Sequence, residues 1–435
     1  GASNFAANNK WAYFPSAALR WNILNEDFMK NARLSDFAVR LSAGTSGNDA
    51  ISRYQSLSRL SSTTAGYLFG ASQPVAFYPS GIANAGLKWE KTTTYNVGLD
   101  LSFFEKRLEL TLDAYKSNTS DLLLSVQMPT QTGFSSRLMN FGKTSNKGIE
   151  LTINYDVIRK PNVGWATSFT AAHNQQMVDD IGLVGRVVTN TYTYGAQYMI
   201  NGYQTGYPLN AIYGFEYGGV WKNQEEITRN QTDKQYVSAS AAYLVPGRQR
   251  YIDQNHDGLM NSDDMVMLGD ADPDLYGGWQ NTFRYKKAFL SVFFNYSIGG
   301  DMYYPGGMFN MTGVYLNNQQ ALMVNRYHEV RNPDSDIPRT DSKDDIPNDR
   351  FVYDASFLRL KAVSIGYTFD LAKMTASKLK SLALSVNGSN LLLLKNYIGY
   401  DPEVNTSGTS STLRRIDNGS FPPNRTITFT AELKF

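Results

Sequence analysis

Apolar side chains recur at every second position in one segment of this chain after another. Residues 276–300, YGGWQNTFRYKKAFLSVFFNYSIGG, show it most clearly. Trp279, Phe283 and Tyr285 fall on one side, and Gln280, Thr282, Arg284 and Lys286 on the other. Beyond a basic turn at Lys286 and Lys287, Leu290, Val292, Phe294, Tyr296 and Ile298 share a side opposite Ser291, Asn295 and Ser297. Successive side chains of a strand point to opposite faces, so this stretch reads as a hairpin with one aromatic face and one mostly polar face.

The same period of two predicts strands from end to end. Residues 11–24 align Trp11, Tyr13, Ala17, Leu19, Trp21 and Ile23, and residues 37–45 align Phe37, Val39, Leu41 and Ala43. Residues 88–104 carry Trp89, Tyr95, Val97, Leu99, Leu101 and Phe103, followed after a charged turn by Leu108, Leu110, Leu112 and Ala114. Ile149, Leu151, Ile153, Tyr155 and Val157 form the next stripe, and residues 164–174 carry Trp165, Phe169 and Ala171. After the 276–300 hairpin come Val363, Ile365, Tyr367 and Phe369, then Leu382, Leu384 and Val386, and last Ile427, Phe429, Ala431, Leu433 and Phe435. That makes about eleven strands and an all-β chain. The connectors alternate short and long throughout, the longest covering residues 175–275. In an up-and-down meander alternate connectors lie at the same end, so the short turns gather on one side and the long loops on the other. Transmembrane antiparallel β-barrels show this asymmetry, with short periplasmic turns and long extracellular loops. A soluble sandwich has no reason to sort its loops.

Composition agrees with the pattern. Aromatics make up 13% of 435 residues, charged residues only 18%, and 35 glycines suit many tight turns. A net charge of +2 gives no bulk attraction for nucleic acid. The absence of cysteine excludes disulfides and thiolate metal sites. No apolar run approaches the ~20 residues of a spanning helix, which leaves strands as the route across a bilayer. An odd number of strands leaves an open edge, and unpaired backbone in lipid costs several kcal/mol per group. The expectation is therefore the C-terminal half of a barrel whose first half lies on another chain or was cleaved off. The terminal Phe435, closing an alternating strand, fits the periplasmic side of such a barrel.

Several stretches resemble the SusC/RagA-type TonB-dependent transporters of Bacteroidota outer membranes. They are residues 11–21 (WAYFPSAALRW), 87–101 (LKWEKTTTYNVGLDL), 119–134 (TSDLLLSVQMPTQTGF), 140–150 (NFGKTSNKGIE), 273–282 (PDLYGGWQNT), 355–367 (ASFLRLKAVSIGY), 384–393 (LSVNGSNLLL) and 400–403 (YDPE). The resemblance implies a barrel of roughly twenty-two strands, of which residues 1–435 supply the later part. It also implies an N-terminal plug, a SusD-like surface lipoprotein as lid, contact with TonB through the missing N-terminal part, and energised import of glycan fragments or peptides. Two other readings stand beside it: a passive porin, and a secreted calcium-binding β protein that binds glycans.

One motif carries explicit chemistry. Residues 253–264 read DQNHDGLMNSDD. Asp253, Asn255, Asp257, the Leu259 carbonyl, Asn261 and Asp264 fall at positions 1, 3, 5, 7, 9 and 12 of an EF-hand-type calcium loop, with Gly258 at the sharp turn. A hard dication needs several converging oxygens, and this run supplies them. Aspartate in place of glutamate at the last position favours one-oxygen coordination, hence weaker Ca2+ binding or Mg2+. The flanks read as loop or strand, so the expected role is structural: pinning an extracellular loop. The alternative is a solvated acidic segment of Asx turns.

No other constellation stands out. His173, His256 and His328 have no zinc spacing between them, and His256 points away from the predicted ion. The acidic stretch 334–349 reads as a solvated loop. Tyr192, Tyr194, Tyr198, Tyr203 and Trp221 either stack on sugars or pack the loops. No residue set suggests an enzyme.

Overall fold

The computed structural model describes residues 1–64, 70, 73, 75–134, 136–182, 186–190, 201–311, 318–341, 346–371, 379–406 and 415–435. Eleven strands form one continuous sheet: β1 (Ser16–Asn22), β2 (Leu34–Asn48), β3 (Glu90–Phe103), β4 (Leu108–Ser120), β5 (Lys143–Arg159), β6 (Val163–Asp180), β7 (Leu275–Tyr285), β8 (Ala288–Ile298), β9 (Phe357–Asp370), β10 (Ser381–Lys395) and β11 (Thr426–Lys434). Each pairs antiparallel with its neighbour in sequence order, and β1 and β11 are the two edges. Strands β2 to β11 contain between 9 and 18 residues. That is long enough to cross a bilayer at a tilt.

The connectors alternate as the pattern predicts. Residues 23–33, 104–107, 160–162, 286–287 and 371–380 lie at one end, and 49–89, 121–142, 181–274, 299–356 and 396–425 at the other. The tight turns use left-handed backbone at Phe104, Glu105 and Lys106, and again at Lys286.

The apolar stripes are exposed. Leu19, Leu41, Val97, Ile149, Trp279, Ile365, Leu384 and Phe429 all present large open surface along one face of the sheet. The remaining sheets among the described residues have four strands or fewer and belong to the connectors. Among the described residues no second sheet covers the apolar face, so the sandwich reading and the secreted protein built on it fall. Rings on this face stack in ladders: Trp165 with Phe283 at 5.4 Å, Trp279 with Phe294 at 6.0 Å and Phe169 with Tyr296 at 6.0 Å between centroids. Offset pairs of this kind add attraction without needing water.

Deep burial occurs elsewhere. The largest fully buried side chains, among them Trp221, Tyr213, Tyr251, Tyr303, Phe215 and Phe351, all lie outside the eleven strands. The stretch 175–275 is not irregular throughout. β6 continues to Asp180, and beyond it lie short strands, including Ala211–Phe215, Tyr217–Val220, Gln249–Ile252 and Met265–Asp270, with one helix, α1 (Gln224–Asp233). These small sheets fold because they share cores with neighbouring connectors. Phe215, Val237 and Tyr251 pack on Ile346, and Ile212 packs with Tyr303, Phe351 and Ile416.

Three local expectations change. β1 begins at Ser16, leaving Trp11 and Tyr13 outside the sheet, and Ile23 turns inward at the first short connector. His173 lies within β6 rather than at its end, its Nδ1 2.6 Å from the Asp274 carbonyl. The acidic stretch is not a free solvated loop. Lys222 Nζ reaches Asp336 Oδ1 and the carbonyls of Asp334 and Ser335, while Asp349 accepts the Tyr217 amide. A cation on the neighbouring connector thus holds the 334–336 turn, and a backbone amide holds Asp349.

The facing assignment predicts an asymmetry in β9. Ile365→Arg, on the exposed apolar face, should cost roughly 2–4 kcal/mol of stability in a bilayer. Ala362→Arg, on the opposite face, should cost clearly less. Urea unfolding of the whole protein in lipid vesicles checks this, and equal losses would reverse the assignment.

Candidate functional site

The polar face of the sheet is organised by register. One row of paired residues crosses ten strands: Arg20, Arg40, Gly98, Asp113, Glu150, Ala172, Tyr276, Ser297, Phe357 and Lys395. Charged side chains line its first half. Arg40 bonds Asp100 at 3.0 Å and Asp113 at 2.8 Å, and Arg20 also reaches Asp100. Gly98 makes this possible, because a Cβ there would lie 2.6 Å from both the Arg40 guanidinium and the Asp113 carboxylate. A polar inward face opposite a lipid-facing stripe is the pattern of a barrel with an aqueous lumen.

Further along the row a cavity of about 920 Å3 opens between the sheet and two connectors. Glu150, Tyr276, Phe293 and Asn295 line it from the wall, and Glu403 and Arg415 from the 396–425 connector. That connector is fastened by a buried cation. A β-bulge between Leu360 and Ala362 shifts the alternation of β9, so that Arg359 joins the polar face. Its Nη2 lies 2.6 Å from Asp401 Oδ1 and its Nε 2.8 Å from Glu403 Oε2, with Arg359 and Asp401 almost wholly buried. Asn295 donates to the second Glu403 oxygen at 3.1 Å. Nearby, Tyr397 donates to Asp417 at 2.7 Å, and burial with that carboxylate raises the phenol well above its usual range.

Arg415 reaches Ser297 Oγ at 3.1 Å and the Gly299 carbonyl at 3.3 Å. Burial lowers its pKa, while Asp272, Asp301, Asp270 and Asp354 oppose that shift. Burial also raises Asp270 and Asp301, and the neighbouring carboxylates add to the effect. Arg415 thus stands between the cavity, which it lines, and a group of carboxylates behind it.

The predicted metal loop connects the strand Gln249–Ile252 to a single turn at Ser262–Asp264 and the strand Met265–Asp270. Asp253 and Asp264, its first and last predicted ligands, are both fully buried. Asp253 Oδ2 accepts the Gly258 amide at 2.8 Å, and Gly258 has φ +83°. Asp264 accepts the amides of Gln254 and Asn261 at 3.1 and 3.0 Å. Burial raises Asp264 despite those two bonds, and the Asp253 and Asp257 charges add to the rise. Asn255 accepts the Asp257 amide at 3.0 Å, and Asp257 accepts the Leu259 amide at 2.6 Å. His256 Nδ1 faces the Lys234 carbonyl, away from the loop centre as expected. Among the described residues, no three His, Asp or Glu side chains are gathered in metal-holding positions. An ion here would rely on amide and main-chain oxygens as well as carboxylates.

The loop aromatics divide. Trp221 is buried, donates to Ser238 Oγ at 3.0 Å and carries Arg250 over its ring, so it packs the connector rather than offering a stacking surface. Tyr203 packs on Val178 and Ile181. Tyr192, Tyr194 and Tyr198 lie outside the described residues. The Arg359 anchor and the lumenal row were not anticipated. YDPE at 400–403 was legible as a motif, but its partner in β9 was not.

A family model described as "TonB dependent receptor-like, beta-barrel" matches residues 1–391. The chain belongs to this family. TonB-dependent receptor P3 of Formosa agariphila is 32% identical across 100% of this chain and 43% of its own length. TonB-dependent receptor SusC of Bacteroides thetaiotaomicron is 27% identical across 100% of this chain and 41% of its own length. The chain therefore spans less than half the length of these relatives. Among solved structures, the RagAB peptide transporter superposes with a TM-score of 0.81 over 100% of this chain and 44% of its own, at 23% identity, which shows the shared fold. The exposed stripes are thus the lipid-facing side of an outer-membrane TonB-dependent receptor barrel.

Removing Arg359 leaves Asp401 charged and buried without its partner, a loss worth about 3–5 kcal/mol in comparable sites. Arg359→Met should therefore loosen the 396–425 connector, and Asp401→Asn in the same protein should recover part of the loss. Protease sensitivity and thermal melting of the single and double variants test this coupling.

Proposed function

We propose that this chain forms the later strands of a SusC-like importer, which takes up glycan fragments or peptides through the outer membrane with energy delivered by TonB. The lumenal cavity carries this reading. It combines aromatic surface (Tyr276, Phe293) with carboxylate, amide and guanidinium groups (Glu150, Asn295, Glu403, Arg415). Such a mixture suits an oligomeric polar solute: rings cover its apolar faces, and hydrogen-bonding groups read its polar edges. The relationship to SusC and the fold shared with a peptide transporter support the same class of cargo. In this reading the plug and the TonB-contacting segment precede these strands, and a SusD-like lipoprotein closes over the long connectors.

The experiment is uptake by cells carrying the whole protein, with the TonB system intact or deleted. Oligosaccharides and peptides are supplied in separate arms. Uptake of one class that disappears without TonB is the expected result, together with co-purification of a surface lipoprotein in detergent. Uptake that continues unchanged without TonB would make the protein a passive pore.

A further inference from the structure

We propose that residues 253–264 form a calcium site that fastens together the two small sheets of the 181–274 connector. Spacing alone would not carry this; the decisive observation is Asp253. Its side chain is fully buried, its Oδ2 is satisfied by the Gly258 amide, and its Oδ1 has no hydrogen-bond partner at all. A carboxylate oxygen withdrawn from water and left unpaired is unfavourable unless a cation meets it. Asp264, eleven residues on, is buried in the same loop, its two oxygens held by the Gln254 and Asn261 amides. Two buried anions placed together need a positive partner, and the described side chains do not provide it. Lys234 directs its ammonium to the exposed Asp257 carbonyl at 2.9 Å rather than to either buried carboxylate.

The ligand chemistry selects the ion. Asp253, Asn255, Asp257, the Leu259 carbonyl, Asn261 and Asp264 offer only oxygen donors, and the loop's histidine is turned away to the Lys234 carbonyl. Hard oxygen donors in a flexible loop suit calcium, whereas magnesium demands a stricter octahedron and zinc prefers nitrogen or sulfur.

The position gives the ion its role. The strand entering the loop, Gln249–Ile252, pairs with Tyr217–Val220, and the strand leaving it, Met265–Asp270, pairs with Ala211–Phe215. Gln254 also reaches Glu216, the residue between those two partner strands, at 3.2 Å. An ion joining Asp253 to Asp264 therefore ties one small sheet to the other. This inference does not depend on the transport reading.

The test uses the detergent-purified whole protein. Calorimetric titration with CaCl2 should show binding that Asp253→Asn weakens by about tenfold or more, while Asp263→Ala, outside the ligand set, leaves it unchanged. Limited proteolysis of the parent with and without chelator needs no variant. Cleavage within residues 201–275 should rise several-fold on chelation in the parent and not in Asp253→Asn. Equal resistance with and without chelator would overturn the proposal. So would unaltered calcium binding in Asp253→Asn, or magnesium binding as tight as calcium.

Discussion

Every main-chain amide and carbonyl that enters hydrocarbon must find its partner within the protein, because no water is there to take its place. The hydrogen-bond ladder running from β1 to β11 meets that demand for every strand between its two open edges. It explains why the strands are long, why each pairs with its neighbour in sequence, and why the turns at one end shrink to as little as residues 286–287. The side chains follow from the ladder. Once the backbone is fixed, alternation sends one set of residues to lipid and the other to the lumen. A bulge such as the one beside Lys361 is then a means of moving one residue, Arg359, from one set to the other.

The molecule is thus stabilised in two different ways in two solvents. Within the sheet the apolar residues face outward and form no dense interior. In the long connectors the opposite holds, and the protein's buried aromatics are concentrated there. Tyr303 and Phe351 of one connector and Ile416 of another share one cluster with Ile212 of a third. The same connectors supply the buried ions: Arg250 with Glu226, and Asp401 and Glu403 for Arg359. Water is available at that end, so hydrophobic burial can act as it does in a soluble domain.

This division explains what the sequence discloses. The eleven strands are legible because lipid exposure enforces a period of two with few exceptions, and the sorted connectors follow from counting. The 253–264 motif is legible because the positions proposed as ligands lie within one short run. The connector cores are not. Ile346 is one apolar residue in an acidic, proline-containing stretch, and nothing local announces that it fills a space beside Phe215 and Tyr251. Likewise, the row from Arg20 to Lys395 exists only once the register of ten strands is set, since a slip of one residue would send each member to lipid. Strand ends were displaced for the same reason: β6 extends to Asp180 because β5 continues alongside it to Lys143.

The shared core of the connectors carries a mechanical consequence. Ile212, Tyr303 and Ile416 sit on three separate excursions from the sheet, yet each is walled in by the others. No one excursion can swing aside without stripping its neighbours of cover and wetting their rings. These three excursions therefore move as one body or not at all.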